Sequence, residues 1–198
     1  RDLGLSLDEA VARLSRDAEY SRAFRTAFGE PVTAPRIAQA VATFVRTQLS
    51  GNSRFDRFLT GDVRALRADE RRGLEVFSGR ARCARCHAGP LLSDESFHNT
   101  GVAWQEARFV DPGRAAVTGS ERDRGAFKTP SLREVARTAP YMHDGSLARL
   151  DEVIEFYDRG GRQNPNLDAD IRPLNLARDE KAALLAFLRS LNGRVSGG

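Results

Sequence analysis

The feature that most restricts what this 198-residue chain can become is Cys83-Ala-Arg-Cys86-His87. It holds the only two cysteines in the sequence. A separation of three residues sets the two sulfurs about one helical turn apart, and an imidazole follows at once. Any fold that uses this run must bring two thiols and a histidine to one wall.

The surroundings read as helix. Ser6 with Glu9 forms a capping box ahead of residues 7–14. Asp17 can cap residues 18–28, which Gly29 stops. Thr33 opens residues 34–49, where Ile37, Val41, Phe44 and Val45 share a face, and Gly51 ends the run. Residues 55–62 read as a short helical turn, and Asp69 is placed to cap residues 70–79, which lead directly into the cysteine pair. From Ser93 to about Pro130 the periodicity vanishes. A loop of that length is usually functional or disordered. Phe97, Val102, Trp104, Phe109 and Phe127 supply apolar anchors along it, so it is expected to wrap something. Helical pattern returns in residues 131–136, in 147–159 closed by Gly160 and Gly161, and in 178–191 closed by Gly193. Nothing alternates for long, so the expected fold is all-α with strands at most short.

Charge and composition remove other classes. The 31 basic and 27 acidic residues are interleaved and leave a net charge of +4, a solvated basic surface rather than a nucleic-acid footprint. No apolar run approaches the roughly 18 residues that a membrane span needs. The chain starts at Arg1 without an initiator methionine or a signal peptide, and reads as a processed mature chain or a fragment.

Four chemistries compete for the cysteine pair. A structural zinc site wants four ligands, and His98 and His143 lie too far apart in sequence to make a second ligand pair. A thioredoxin-like redox pair needs a βαβ setting, which is absent from the pattern. A disulfide over so short a span constrains little. Covalent haem c remains: Cys83 and Cys86 add as thioethers across the two vinyl groups, and His87 offers a nitrogen to the iron. Both thiols are then consumed, and maturation outside the cytoplasm is implied, which in a bacterium means the periplasm.

Residues 72–102 around the motif resemble the second haem-attachment region of the bacterial di-haem cytochrome c peroxidase family, which includes the protein-modifying branch known as MauG. Residues 127–161, "FKTPSLREVARTAPYMHDGSLARLDEVIEFYDRGG", resemble its signature loop and following helix. Residues 174–193 resemble its closing helix, and residues 44–62 its connector between haem domains. The resemblance implies a cytochrome c-like haem domain over residues 61–198, preceded by a helical segment, residues 1–60, that belongs to or connects with an N-terminal haem domain absent from this chain. It further implies one haem here and a second in the full protein. The function implied is electron transfer from a protein donor or protein substrate to a partner haem activated by hydrogen peroxide. A mono-haem cytochrome c carrier without enzymatic activity is the alternative. The family places a glutamate before a Met-Gly pair near the start of this region; here the stretch reads Asp2-Leu3-Gly4, so Asp2 receives no catalytic role. No other residue of this chain receives one either.

The iron's other face has five candidate ligands: Met142, Tyr157, His98, His143 and Lys128. Met142 is the only methionine. Leu150, Val153, Ile154 and Tyr157 follow the i, i+3, i+4, i+7 spacing that turns a phenol toward a buried face. In the family the ligand lies seventeen residues after the proline of a Thr-x-Pro element, a methionine in peroxidases and a tyrosine in the MauG branch. Counted from Pro140, that position is Tyr157. The resemblance therefore favours Tyr157 over Met142. It also implies that the carbonyls of Thr138 and Pro140 contribute to a calcium ion between the two haem domains. For His98 the residue-level expectation is a hydrogen-bonded loop anchor.

Overall fold

A computed structural model describes residues 4–196. Asp2 lies outside them. The chain divides into two compact units, one of residues 1–49 with 195–198 and one of residues 50–194.

In the smaller unit, local signals decide the helices. Helix α1 (Leu7–Arg16) begins at the Ser6–Glu9 capping box, where the Ser6 and Glu9 side chains each accept the other's backbone N–H. Helix α2 (Ala18–Phe28) starts with the Asp17 carboxylate accepting from the amides of Glu19 and Tyr20. Gly29, at φ +70°, turns the chain out of it. Helix α3 (Ala34–Thr47) opens at Thr33 and stops earlier than the sequence pattern, giving way to a strand at Leu49–Gly51. Val41, Phe44 and Val45 are exposed.

The larger unit holds the core. Helix α4 (Arg54–Leu59) is capped by Ser53, and its Phe55 packs into that core, so the second half of the connector belongs here. Helix α5 (Ala68–Ser78) starts two residues earlier than expected. Its cap is Arg67, whose amide donates to Glu70, and Asp69 sits inside the first turn. Glu70 is fully buried, and Arg54 and Arg67 neutralise it. Helix α8 (Arg178–Ser190) makes the most extensive helix–helix contact among the described residues, against α5. Gly73 allows it, because a Cβ there would stand 2.0 Å from the Ala183 carbonyl oxygen. Phe187, with no exposed surface, anchors the seam, its ring 5.2 Å from Phe55 and 5.0 Å from Phe77.

The stretch from Ser93 to Pro130 is ordered by short pieces. Phe97–His98 pairs antiparallel with Phe127–Lys128, and Trp104–Gln105 with Arg108–Phe109. Helix α6 (Ala115–Thr118) is a single turn. The fold is thus helix-rich with a few two- and three-residue strands. Residues 131–136 do not form the expected α-helix. Only a 3-10 turn at Val135–Arg137 appears, because Glu134 is held at φ +62°. There its carboxylate accepts from the Ser50 hydroxyl and the Gly193 amide, both at 2.6 Å. Helix α7 (Leu150–Asp158) ends at Gly160 and Gly161.

Candidate functional site

The attachment motif lies on a tight turn at the end of α5. Arg82 takes a left-handed conformation, φ +57°, and a single 3-10 turn follows over Cys83–Arg85. The amide of His87 donates to the Cys83 carbonyl at 2.9 Å, and that of Asp94 to the Cys86 carbonyl at 2.8 Å. This places Cys83, Cys86 and His87 on the wall of one cavity of about 420 Å³. Apolar side chains make most of the remaining wall, among them Phe77, Leu132, Ile154, Leu184 and Leu188.

His87 is fixed in orientation. Its Nδ1–H donates to the Leu92 carbonyl at 2.9 Å, which leaves Nε2 as the nitrogen able to ligate. Burial pushes the imidazole's pKa down, so the neutral, ligand-competent form prevails. Burial pushes the Cys83 thiol up to about 12 and the Cys86 thiol up to about 11, the latter helped by Asp94, Asp168 and Asp170.

The α7 wall of the cavity is made by Leu150, Val153, Ile154 and Tyr157, the four residues of the predicted face. Burial, with Cys83 close by, raises the Tyr157 phenol to about 12. Met142, His98, His143, Lys128, Thr138 and Pro140 line the same cavity. All five candidates for the iron's far side therefore face one space. His143 is stacked flat on Phe127, centroids 3.5 Å apart and planes 12° from parallel.

His98 is a loop anchor. Its Nδ1 lies 2.6 Å from Asp168 and its Nε2 2.9 Å from Asp94. Burial opposes a charge on the ring, but the two carboxylates outweigh it and raise the pKa. Asp94 responds in kind: against the cost of burial, the Ser96 amide and the His98 ring hold its carboxyl at about 2. Among the described residues, Cys86, Asp94 and His98 form the grouping of side chains close enough to hold a metal ion, yet both nitrogens of His98 already face carboxylates.

Sequence reasoning passed over three parts of this site. The first is the Leu92 carbonyl that orients His87. The second is Arg82, which lines the cavity with a buried Nε that has no hydrogen-bond partner among the described residues. The third is the Asn99-Thr100-Gly101 segment. Asn99 is 3% exposed, and its amide group bonds Arg124, Asn164 and the Gly101 amide. An asparagine two before a glycine inside an aperiodic stretch was the available signal for that last part.

Known proteins resemble this chain over nearly its whole length. A family model described as di-haem cytochrome c peroxidase matches residues 1–64. The methylamine utilization protein MauG of Methylorubrum extorquens is 40% identical over 192 residues, covering 96% of this chain and 54% of that protein. A cytochrome-c peroxidase, IdrP2, of Denitromonas iodatirespirans is 37% identical, covering 91% of this chain and 55% of that protein. Among solved structures, a MauG-like protein associated with microbial copper homeostasis superposes with a TM-score of 0.79 at 36% identity, covering 94% of this chain and 62% of that one. The chain spans about half the length of the curated relatives it matches.

Proposed function

Because this chain belongs to the di-haem cytochrome c peroxidase and MauG family, we propose that it is the electron-transferring haem part of a peroxidase-like oxidoreductase. One observation carries the reading: two free thiols, an oriented imidazole and a half-buried phenol meet on the wall of a single apolar cavity. That donor set fits haem c, and the orphaned Arg82 Nε adds a buried donor at the same wall. Cys83 and Cys86 would hold the macrocycle as thioethers, His87 would ligate iron through Nε2, and Tyr157 would face it from α7. When bound, haem c supplies a one-electron couple.

The chain's own residues set the terms of that couple. His87 arrives neutral and aimed, since burial keeps the proton off and Leu92 holds the ring. Tyr157 is a reluctant acid in this setting: it would lose its proton to solvent only with a cation placed against its oxygen to stabilise the phenolate. A phenolate is a hard anionic donor that stabilises oxidised iron, whereas the Met142 thioether would favour reduced iron. His/Tyr ligation therefore suits a MauG-like role, in which this part helps store oxidising equivalents while a protein side chain is oxidised.

For the whole protein the proposal is consumption of hydrogen peroxide. Electrons pass from a protein donor or protein substrate through this part to a partner haem outside this chain. A periplasmic setting and calcium held in part by the Thr138 and Pro140 carbonyls belong to the same proposal. No helix among the described residues is long and apolar enough to cross a membrane.

Electronic spectra of the oxidised, haem-loaded protein test the ligand set. Tyr157→Phe should change the ligand-field spectrum, and Met142→Leu should leave it almost unchanged. The reverse pattern, with the near-infrared band of a methionine sulfur in the parent, would place Met142 on the iron.

A further inference from the structure

Thr100 stands where the loop after the attachment motif crosses the end of α7, and backbone alone locks that crossing. Gly101 and Gly161 pass so closely that neither tolerates a side chain. A Cβ on Gly101 would lie 2.2 Å from the Arg162 carbonyl oxygen, and one on Gly161 2.3 Å from the Thr100 carbonyl oxygen. Both glycines have positive φ, +88° and +67°. The Arg162 amide donates to the Thr100 carbonyl at 3.4 Å. On the other side Asn99 fixes the segment: its carbonyl accepts from the Asp168 amide at 3.0 Å, and its side-chain oxygen from the Gly101 amide at 2.8 Å. Meanwhile the amides of Gly160 and Gly161 donate to the carbonyls of Tyr157 and Phe156, tying the crossing to the turn of α7 that carries the phenol. Thr100 and Tyr157 line the same cavity, and the Thr100 side chain is the neighbour that pulls the phenol's pKa down against its burial.

We propose that Thr100 is a positioning residue for Tyr157, its hydroxyl donating to the phenol oxygen and drawing charge from that oxygen when it serves as an iron ligand. The crossing keeps the hydroxyl in place at little entropic cost, since its backbone is already immobilised. A hydrogen bond to a charged oxygen contributes more than one to a neutral oxygen. Spent on the phenolate, that contribution weakens its donation to oxidised iron and raises the reduction potential. Removal of the hydroxyl makes the phenolate the stronger donor and favours Fe(III).

The inference rests on Tyr157 as the ligand, and the test separates the two claims. The midpoint potential and the phenolate-to-iron charge-transfer band are measured on the haem-loaded protein. Thr100→Val should move the Fe(III)/Fe(II) equilibrium about tenfold toward Fe(III), about 59 mV lower for a one-electron couple, and shift the band. Thr100→Ser, which keeps the hydroxyl, should stay near the parent. Thr100→Ala replaces the valine variant if that one does not fold. An unmoved potential in the valine variant overturns the proposal, as does an equal shift in the valine and serine variants. If Tyr157→Phe leaves the ligand-field spectrum unchanged, the ligand reading falls and this inference falls with it. If Tyr157→Phe alters the spectrum and Thr100→Val alters nothing, Thr100 alone is refuted.

Discussion

Replacing Gly73 with alanine should damage the protein even though alanine is the better helix former. In an exposed helix interior the change gains about 1 kcal/mol. At Gly73 the new methyl would meet the Ala183 carbonyl oxygen at 2.0 Å, the Ala183 carbonyl carbon at 2.7 Å and Phe187 Cβ at 2.6 Å. None of these atoms can swing aside, since two are α8 backbone and the third begins the most deeply buried ring in the core. The helices must part, and overpacking of this kind costs about 1–3 kcal/mol, or more where backbone has to move. We expect a net loss of about 2 kcal/mol, which in a chain this size lowers Tm by roughly 4–8 °C. The assay is thermal unfolding of the haem-loaded protein, with Gly51→Ala as the control because a Cβ there meets nothing within 4 Å. A Gly73→Ala protein as stable as the parent, or more so, would falsify the close approach of α5 and α8.

The remaining expectations are more direct. A Cys83→Ala, Cys86→Ala protein should lose the haem stain that survives denaturing electrophoresis and organic extraction, while the parent keeps it. Phe187→Ala should cost about 3–5 kcal/mol in chemical denaturation, because it removes the ring shared by Phe55 and Phe77. His98→Gln should show a pH-dependent penalty. The folded pKa of His98 is raised, so its contribution is complete below the unfolded value near 6.5 and fades as pH climbs through the higher folded value. The Tm gap between parent and variant should therefore be widest in mild acid and narrow in alkali; a gap that widens with pH would refute the two-carboxylate grip.

Sequence carried the local decisions well and the long-range ones poorly. Ser6, Asp17 and Thr33 were readable as caps because a cap involves only the next three residues. The α7 face was readable for the same reason, and its four residues do line the cavity. Asp69 misled because two adjacent acids, Asp69 and Glu70, stand at the start of α5, and the buried position of Glu70 depends on Arg54, sixteen residues away. Residues 131–136 carry a helical pattern, but Glu134 serves Ser50 and Gly193, partners 84 and 59 residues distant, and the backbone bends to let it. The long aperiodic stretch is ordered through Asn99 and His98, whose partners lie up to 70 residues along the chain. No window of sequence contains those bonds. What a window does contain, the attachment motif and the apolar anchors, was enough to say that the stretch encloses something.

The acidity of the two cysteines has a consequence for timing. With thiol pKa values of about 12 and about 11, the more acidic sulfur exists as thiolate in only about one molecule in ten thousand at neutral pH. Thiolate is the species that attacks disulfides, alkylating agents and peroxides. The folded, cofactor-free chain should accordingly be slow to react with iodoacetamide or to close its own disulfide, and quick to do both once unfolded. Folding thus acts as a latch on sulfur chemistry: an unladen polypeptide that has already closed keeps its thiols intact but dormant.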